Sequence, residues 1–372
     1  MAGLPRSVLA AARRRPSVPW TVAAAVLGIL LPFFVNAYWL STLVFVLIEA
    51  LAALGLEVLT GRTGQVSLGH AAFLLVGAYT AAMLGVNFHL TAALWIPAAG
   101  VAAGIIGGIT AFFSFRLRGL YLAIVTIGLV YIGQDVAQNW TTVSGGSGGR
   151  SLAAPSFGPL QFSKGITIAG LGITTNGLFY YLALLLLAIA MWYVRNLGRS
   201  RRGRDMIAVR DHELASAVLG ANVRRTKTMA FVVSSVMAGV AGALYGSFLG
   251  FVQPSQFDLL LSIQFVVMIV VGGMGTLWGP VLGSLFVVGL PALLQNEVAA
   301  LPFLAGGTRT SGMPVSDASA IVYGVLLVVF LLVEPRGVVG LAQRLGSLAR
   351  RRREFSEVAG ATQLTSELTS EG

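Results

Sequence analysis

The chain has 372 residues, of which 56% are hydrophobic and only 10% are charged, and its formal net charge is +11. A soluble globular protein carries about 25% charged residues, so this composition excludes a soluble protein and indicates a bilayer protein. The absence of cysteine excludes disulfides, a thiol nucleophile and thiolate metal ligands. His70, His89 and His212 form no His-x-x-x-His pair, so we expect no metal site.

A helix needs about 20 residues to cross the hydrocarbon core of a bilayer. Apolar segments of roughly this length recur along the chain. We therefore predict an all-α, polytopic membrane helix bundle of about ten transmembrane helices. The predicted spans are 18–35, 39–59, 66–86, 91–114, 119–139, 177–194, 229–250, 259–271, 277–296 and 317–333. No small-residue cleavage site follows the first span, which we interpret as retained rather than as a signal peptide.

Basic residues divide the connecting segments into two sets. Arg62, Arg116 and Arg118, the segment 195–227 and the segment 336–353 fall on one side of the membrane. The positive-inside rule makes that side cytoplasmic, with both termini there. The same clustering accounts for the net charge, so nucleic acid is not expected as a partner. Little positive charge occurs in the opposite segments, which are 87–90, 140–176, 251–258 and 297–316.

These segments define the predicted organisation. Residues 1–17 are a basic cytoplasmic segment, and residues 18–335 form the transmembrane domain. Within it, 140–176 is a Gly/Ser/Pro-rich external loop and 195–228 is the largest cytoplasmic insert. The tail 336–372 is cytoplasmic, and its polar, acidic composition predicts disorder at its end.

Small residues recur at helical spacing within the spans. Such strips let helix backbones approach closely, which is how helices associate in lipid. They predict a packed bundle rather than independent anchors. The strips are Gly100, Gly104 and Gly108 in one span, and Ser235, Gly239 and Ala243 with Ala238, Gly242 and Gly246 in another.

A polar stretch, GRTGQVSLGHAAF at 61–73, interrupts two apolar runs. We predict a broken or re-entrant helix near 60–70, and a second near 272–280, where the chain reads GGMGTLWGP. Neither Lys164 nor Lys227 lies in a P-loop pattern, and the glycines of 61–69 do not spell G-x-G-x-x-G. We therefore expect no nucleotide site, no cofactor and no catalytic residues, so any ATP must be held by a partner.

Two acidic residues, Glu49 and Glu57, lie in the second predicted span. Acidic residues at membrane depth are costly and count as functional candidates. Eight residues place them roughly 80° apart around a helix. One interpretation is a proton or cation relay. The other is that Glu57 lies near the cytoplasmic interface and Glu49 pairs with a polar group across the bundle.

The cytoplasmic insert contains RDHELASAVLG at 210–220, whose pattern predicts a short amphipathic helix. Asp211 is the candidate N-cap, Glu213 lies in the first turn and Gly220 ends the helix. Its apolar face would lie on the membrane surface or dock in a groove of another protein. The alternative is a surface helix with no binding role. That face consists of Leu214, Ala217 and Val218.

The insert continues as GRDMIAVRDHELASAVLGANVRRTKTMAFVVSSVMAGVAGALYG, which closely resembles the permeases of ABC importers for branched-chain amino acids, specifically the LivM type. The resemblance covers residues from about 45 to 345. Five further stretches match the family in order: ALGLEVLTGRTGQVSLGHAAFLLVGAYTAAML (53–84), LRGLYLAIVTIGLVYI (117–132), SGGSGG (144–149), VVGGMGTLWGPVLG (270–283) and EPRGVVGL (334–341).

The resemblance implies a permease of the bacterial inner membrane that works in an assembly. A second permease, identical or different, pairs with it in the lipid, two ATPase subunits dock on its cytoplasmic face, and an extracytoplasmic binding protein delivers a small amino acid. Residues of about 205–223 would form the coupling helix that contacts the ATPase. The contact candidates are Asp205, Arg210, Asp211, Glu213, Leu214, Ala217, Val218 and Gly220.

The two predicted breaks indicate where the translocation pathway of a transporter would lie. Gly-interrupted spans in both halves of a transporter point to the pathway, so we predict that Gln65, Ser67 and His70 face it or face the partner permease. The alternative is that they only satisfy the backbone of a tight turn. Glu49 and Glu57 are further candidates, although related permeases commonly carry a neutral residue such as Asn at the position of Glu57.

Two other functions stay open at this point. The same class of importer could carry urea or short amides. A protein of another class, a proton-coupled secondary transporter, would use Glu49 and Glu57 as its relay. A membrane enzyme using His70 with a carboxylate lacks a nucleophile or metal constellation.

Overall fold

The computed structural model of the chain describes residue 28, residues 30–114, 119–158, 160–168 and 171–294, and short pieces between 323 and 340. Seven helices in these ranges are long and apolar enough to cross a membrane, and Gly279–Leu294 is a shorter apolar helix. The fold is an all-α polytopic bundle, as predicted. Two predicted spans, 18–35 and 317–333, lie largely outside the described residues, as do the N-terminal segment and the tail.

The helices follow the predicted spans closely. In chain order they are α1 Ala37–Leu56, α2 His70–Ala82, α3 Ala92–Ser114, α4 Leu120–Asn139, α5 Thr141–Ser144, α6 Thr175–Arg199, α7 Arg201–Asp211, α8 Glu213–Val218, α9 Val223–Leu249, α10 Leu259–Gly272 and α11 Gly279–Ser284. π-helical turns extend α1 through Glu57–Gly61, α2 through Met83–Asn87 and α11 through Leu285–Gly289.

Short polar side chains begin several of these helices. The side chain of Asn36 accepts a hydrogen bond from the backbone of Trp39 at 3.1 Å, and Asp258 accepts one from Leu261 at 2.8 Å. These N-caps satisfy backbone donors that have no partner within the helix. Asp258 is therefore explained by helix initiation at the start of α10.

The segment between α5 and α6 contains short hairpins within the predicted external loop. The antiparallel pairs are β1 Arg150–Ser151 with β6 Phe251–Val252, β2 Ser156–Phe157 with β3 Leu160–Gln161, and β4 Ile166–Ile168 with β5 Leu171–Ile173. The pairing of β1 with β6 joins two segments that the charge pattern had assigned to the same side of the membrane. Arg150 also donates a hydrogen bond to Asn87 of a third such segment.

The opposite end of the bundle collects basic segments. At this end, a cavity of about 160 Å³ is lined by residues from the end of α1, the start of α4, α7, α8 and the start of α9. We call this end of the bundle, where these five helices meet, the basic end. The 27 residues of α9 separate it from β6, a helical rise of about 40 Å, so the two sets of segments lie at opposite ends of the bundle.

Helix α9 packs against α1, α2 and α3 through its small residues. A Cβ atom on Gly239 would lie 2.6 Å from the carbonyl oxygen of Ala99, and one on Gly242 would collide with the carbonyl oxygen of Leu74. Backbone therefore lies directly against backbone at these crossings. The predicted role of the strips in α9 is confirmed, because only a residue without a side chain permits this approach.

We predict that Gly242→Ala destabilises the bundle while Gly128→Ala does not. Both glycines lie inside apolar helices, but nothing lies within 4 Å of a Cβ atom added at Gly128. Both substitutions raise helix propensity by the same amount. The difference between their unfolding temperatures therefore reports the clash of the added Cβ atom with Leu74. Forced overpacking costs about 1–3 kcal/mol. Thermal unfolding in detergent should show a lower midpoint for Gly242→Ala alone, and equal midpoints would contradict this packing.

Candidate functional site

The first helix break joins α1 to α2. Residues 64–69 leave the helical ladder, and Gly64 has φ +69°, a conformation that glycine adopts readily. Side chains of other helices satisfy the freed backbone: Leu68 N–H donates to Thr126 Oγ1 and Ala71 N–H to Ser262 Oγ, each at 3.0 Å. The break predicted near 60–70 is confirmed.

The three polar residues of this break are enclosed by the protein's own helices. Gln65 is 5% exposed, and Ser67 and His70 are fully buried. Gln65 Nε2 donates to Thr63 Oγ1 at 3.0 Å, and Ser67 Oγ accepts from the backbone of Gly69 at 3.3 Å. These bonds stabilise the turn itself. A role for the three side chains in the pathway stays a prediction.

His70 begins α2 and ties it to α1. Its Nε2 lies 2.8 Å from the carbonyl oxygen of Ala52, and because a carbonyl only accepts, Nε2 carries the proton. The ring packs edge-on against Phe265 of α10, with centroids 5.4 Å apart. His70 therefore holds three helices together at the break.

The second helix break separates α10 from α11. Gly273 and Gly275 have φ +111° and +83°. Thr276 Oγ1 donates to the carbonyl of Gly273 at 2.7 Å and accepts from the backbone of Gly279 at 3.0 Å. The break predicted near 272–280 is confirmed, and its turn is closed by one threonine side chain.

Glu57 joins the two breaks. It lies in the π-helical turn that ends α1, is 1% exposed, and its Oε1 accepts a hydrogen bond from the backbone of Gly275 at 2.7 Å. Among the described residues, the cations that act on its charge are Arg62 and Arg210. Arg62 donates to the carbonyl of Val194 in α6 at 3.2 Å, and its burial lowers the pKa of the guanidinium, an effect that Glu57 partly opposes.

Glu49 lies elsewhere on α1. It is 8% exposed, and its Oε2 has no hydrogen-bond partner among the described residues. The phenol groups within electrostatic reach are those of Tyr245 and Tyr323. Eight residues of α1 separate Glu49 from Glu57, a rise of about 12 Å, so the structure does not bring the two carboxylates together.

Helix α7 brings the predicted coupling segment to the first break. Arg210, in its last turn, donates from Nη1 to the carbonyl of Gly61 at 2.9 Å and from Nε to Asp211 Oδ1 at 3.0 Å. Asp205, on the same helix, lines a separate cavity of about 290 Å³. Arg210 thus contacts the turn that carries Glu57, which the sequence pattern alone did not indicate.

The amphipathic helix of the insert is α8. Leu214 and Val218 are 72% and 88% exposed, Ala217 is exposed as well, and Ser216 faces inward. The helix ends before Gly220, whose φ is +87°. The apolar face and the stop at Gly220 are confirmed.

The prediction that Asp211 caps this helix is wrong. Asp211 is the last residue of α7, and His212 occupies the N-cap position with an extended backbone and no side-chain hydrogen bond to the helix. The reason is that α7 continues through Arg210 and Asp211. The ion pair between these two residues therefore belongs to the C-terminal end of α7, and Asp211 does not precede α8 as a cap.

An ion pair fixes α8 to the bundle. Lys227 Nζ of α9 lies 2.9 Å from Glu213 Oε1, and the two side chains are 7% and 26% exposed. Sequence reasoning did not select Lys227 as a partner of the insert. A signal was present, because it is one of two lysines in the chain and it directly precedes an apolar run.

Comparisons with known proteins agree on one family. The family model described as branched-chain amino acid transport system / permease component matches residues 38–331. The chain is similar to the high-affinity branched-chain amino acid transport system permease protein LivM of Escherichia coli (strain K12), with 30% identity over 335 residues that cover 87% of this chain and 75% of the relative.

Two further relatives are more distant or match less of the chain. The permease protein LivH of Salmonella typhimurium is 27% identical over 319 residues, which cover 78% of this chain and 91% of the relative. The autoinducer 2 import system permease protein LsrC of Enterobacter sp. (strain 638) is 30% identical over 207 residues, which cover 54% of each chain. No solved structure matches the chain significantly.

We predict that Lys227→Met loosens α8 while Arg225→Met does not. Both residues lie in the first turns of α9, but Arg225 is exposed and Lys227 holds Glu213 in a mostly buried ion pair. Removing one partner of such a pair, discounted for the partial exposure of Glu213, should cost about 1–2 kcal/mol. Hydrogen exchange of the α8 amides should accelerate about tenfold in Lys227→Met. Unchanged exchange would contradict the assignment.

Proposed function

Because the chain belongs to the family of permease components of branched-chain amino acid transport systems, we propose that it is the membrane subunit of an ATP-driven importer. It is a multi-pass membrane permease component and not an enzyme. ATP hydrolysis takes place in separate ATPase subunits. A second permease subunit shares the membrane, and an extracytoplasmic binding protein delivers branched-chain or related small amino acids.

The observation that carries this proposal is the exposed apolar face of α8. Leu214 and Val218 project from a charged segment, and no described residue of this chain covers them. An apolar helix face of this kind is typical of a helix that docks in a groove of another protein. The ion pair of Glu213 with Lys227 fixes the first turn of the helix to α9, so a displacement of the helix is transmitted to the bundle.

The ATPase is the occupant that fits this surface. The basic end, by the positive-inside rule, faces the cytoplasm, where ATP is available. Exposed charges flank the apolar face, with Asp211 54% and Arg210 39% exposed, which suits a protein groove with polar rims better than the interior of a lipid layer. If α8 instead lies on the lipid surface, the assignment of this face to the ATPase is wrong.

The choice of substrate rests on the relatives. The names of LivM and LivH specify branched-chain amino acids, and the name of LsrC specifies autoinducer 2. LivM matches the larger share of this chain, so branched-chain amino acids are the substrates to test first. Urea and a short amide serve as comparison solutes.

Reconstituted uptake tests the function as a whole. The permease pair, the ATPases and the binding protein in proteoliposomes should accumulate leucine, isoleucine or valine only with ATP, and a protonophore should have no effect. Uptake that persists without the ATPases and collapses with the protonophore would instead establish a secondary transporter. ATP-driven uptake of urea but not of leucine would overturn the substrate class alone.

We predict that Leu214→Asp abolishes association with the ATPase. A charge at the centre of a docked apolar face is left without water, which costs several kcal/mol. Ala215→Asp is the matched control, because it adds the same charge to an exposed residue of the same helix outside the apolar face. Co-purification of ATPase subunits should be lost in Leu214→Asp and largely retained in Ala215→Asp. Normal co-purification of Leu214→Asp would contradict docking of this face on the ATPase.

A further inference from the structure

One arginine of the insert lies against both helix breaks. The guanidinium of Arg210 donates to the carbonyl of Gly61 at 2.9 Å, and its Cγ lies 3.0 Å from the position of a Cβ atom on Gly64. The corresponding position on Gly275 lies 3.8 Å from Arg210 Nη1. The first break and the second break therefore meet at the end of a single side chain.

Glu57 completes this contact from the other side. Its Oε1 accepts from the backbone of Gly275, on a segment 218 residues away in sequence. The carboxylate belongs to the same π-helical turn whose last carbonyl, that of Gly61, is bound by Arg210. A displacement of Arg210 therefore moves the turn, and the turn carries Gly275 with it.

The position of Arg210 along the chain makes this contact relevant to docking. It lies in the last turn of α7, four residues before Leu214 of the exposed face, with His212 as the extended residue between the two helices. Glu57 Oε2 accepts no hydrogen bond in the described part of the chain, although Arg210 is close enough to act on its charge.

We propose that Arg210 and Glu57 are positioning residues that transmit movement of the ATPase-docked insert to both helix breaks together. This inference rests on the proposed function. Arg210 holds the first break through Gly61, and Glu57 holds the second through Gly275. The two breaks then change conformation as one unit. Coupling between the docking helix and the membrane domain requires such an element with two alternative conformations.

The chain contains no cysteine, so a single introduced thiol is the only one in this subunit, and the complex without it gives the background. Met274 lies between Gly273 and Gly275 and is 53% exposed, so we choose Met274→Cys. In the assembled complex, trapping the ATPases with a non-hydrolysable ATP analogue should change the rate of thiol modification at this position. Adding Glu57→Leu, which removes the acceptor for Gly275, or Arg210→Gln should abolish most of that change.

The matched control is Arg201→Gln, which removes the same charge from an exposed residue of the same helix that touches neither break. It should leave the nucleotide-dependent change intact. Glu57→Gln keeps an oxygen that can accept from Gly275, so it should retain most of the nucleotide-dependent change that Glu57→Leu loses. Arg210→Lys keeps the charge but loses the planar guanidinium. These variants distinguish loss of the contacts with Gly61 and Gly275 from a general loss of folding. Thermal unfolding measures the stability of each variant in parallel.

Transport gives the second measurement. Glu57→Leu and Arg210→Gln should each lower the amount of leucine taken up per ATP hydrolysed about tenfold, while ATPase subunits still co-purify. The double variant should be no worse than the more impaired single variant, because both residues act in one link. Losses that multiply in the double variant, or a thiol response that persists at full size in both single variants, would overturn the proposal.

Failure of the underlying function has a different signature. If the unmodified permease neither binds the ATPases nor shows ATP-dependent uptake, the importer assignment fails. If it does both, but the thiol at Met274→Cys shows no response to nucleotide, the importer assignment stands and the proposed transmission is overturned.

Discussion

Every backbone group that leaves a helix inside the bundle has to find a hydrogen-bond partner within the protein, and the two helix breaks depend on this constraint. Leu68 finds Thr126 of α4, Ala71 finds Ser262 of α10, and Gly275 finds Glu57 of α1. Each partner belongs to another helix. The conformation of a break is therefore set by how the helices pack, and a change in packing changes the break.

Helix α9 connects this packing to the insert that contains α8. Its glycines let α2 and α3 approach to backbone contact, which fixes the centre of the bundle. Its first turns carry Lys227, which holds α8 through Glu213. The same rigid element therefore supports the core and the surface that we assign to the ATPase. The insert therefore has two contacts with the membrane domain, one through the ion pair of Glu213 with Lys227 of α9 and one through Arg210 with Gly61.

The candidate site was only partly predictable, and particular residues show why. The exposed face of α8 followed from the spacing of Leu214, Ala217 and Val218, because helical periodicity is a local property. Asp211 was misassigned, because a capping pattern cannot exclude that the preceding helix extends through it. Gln65 and Ser67 were correctly expected in a break, but their burial follows from neighbouring helices that are distant in sequence.

The sequence by itself determined the membrane class, seven of the ten predicted spans, the close packing through small residues and the two breaks, since hydropathy, glycine and helical spacing act over a few residues. Only the tertiary structure decided which polar groups meet. Glu57 binds Gly275 across 218 residues, and Arg210 binds Gly61 across 149. A buried polar group takes the partner that packing brings within 3 Å, and no local pattern specifies that partner.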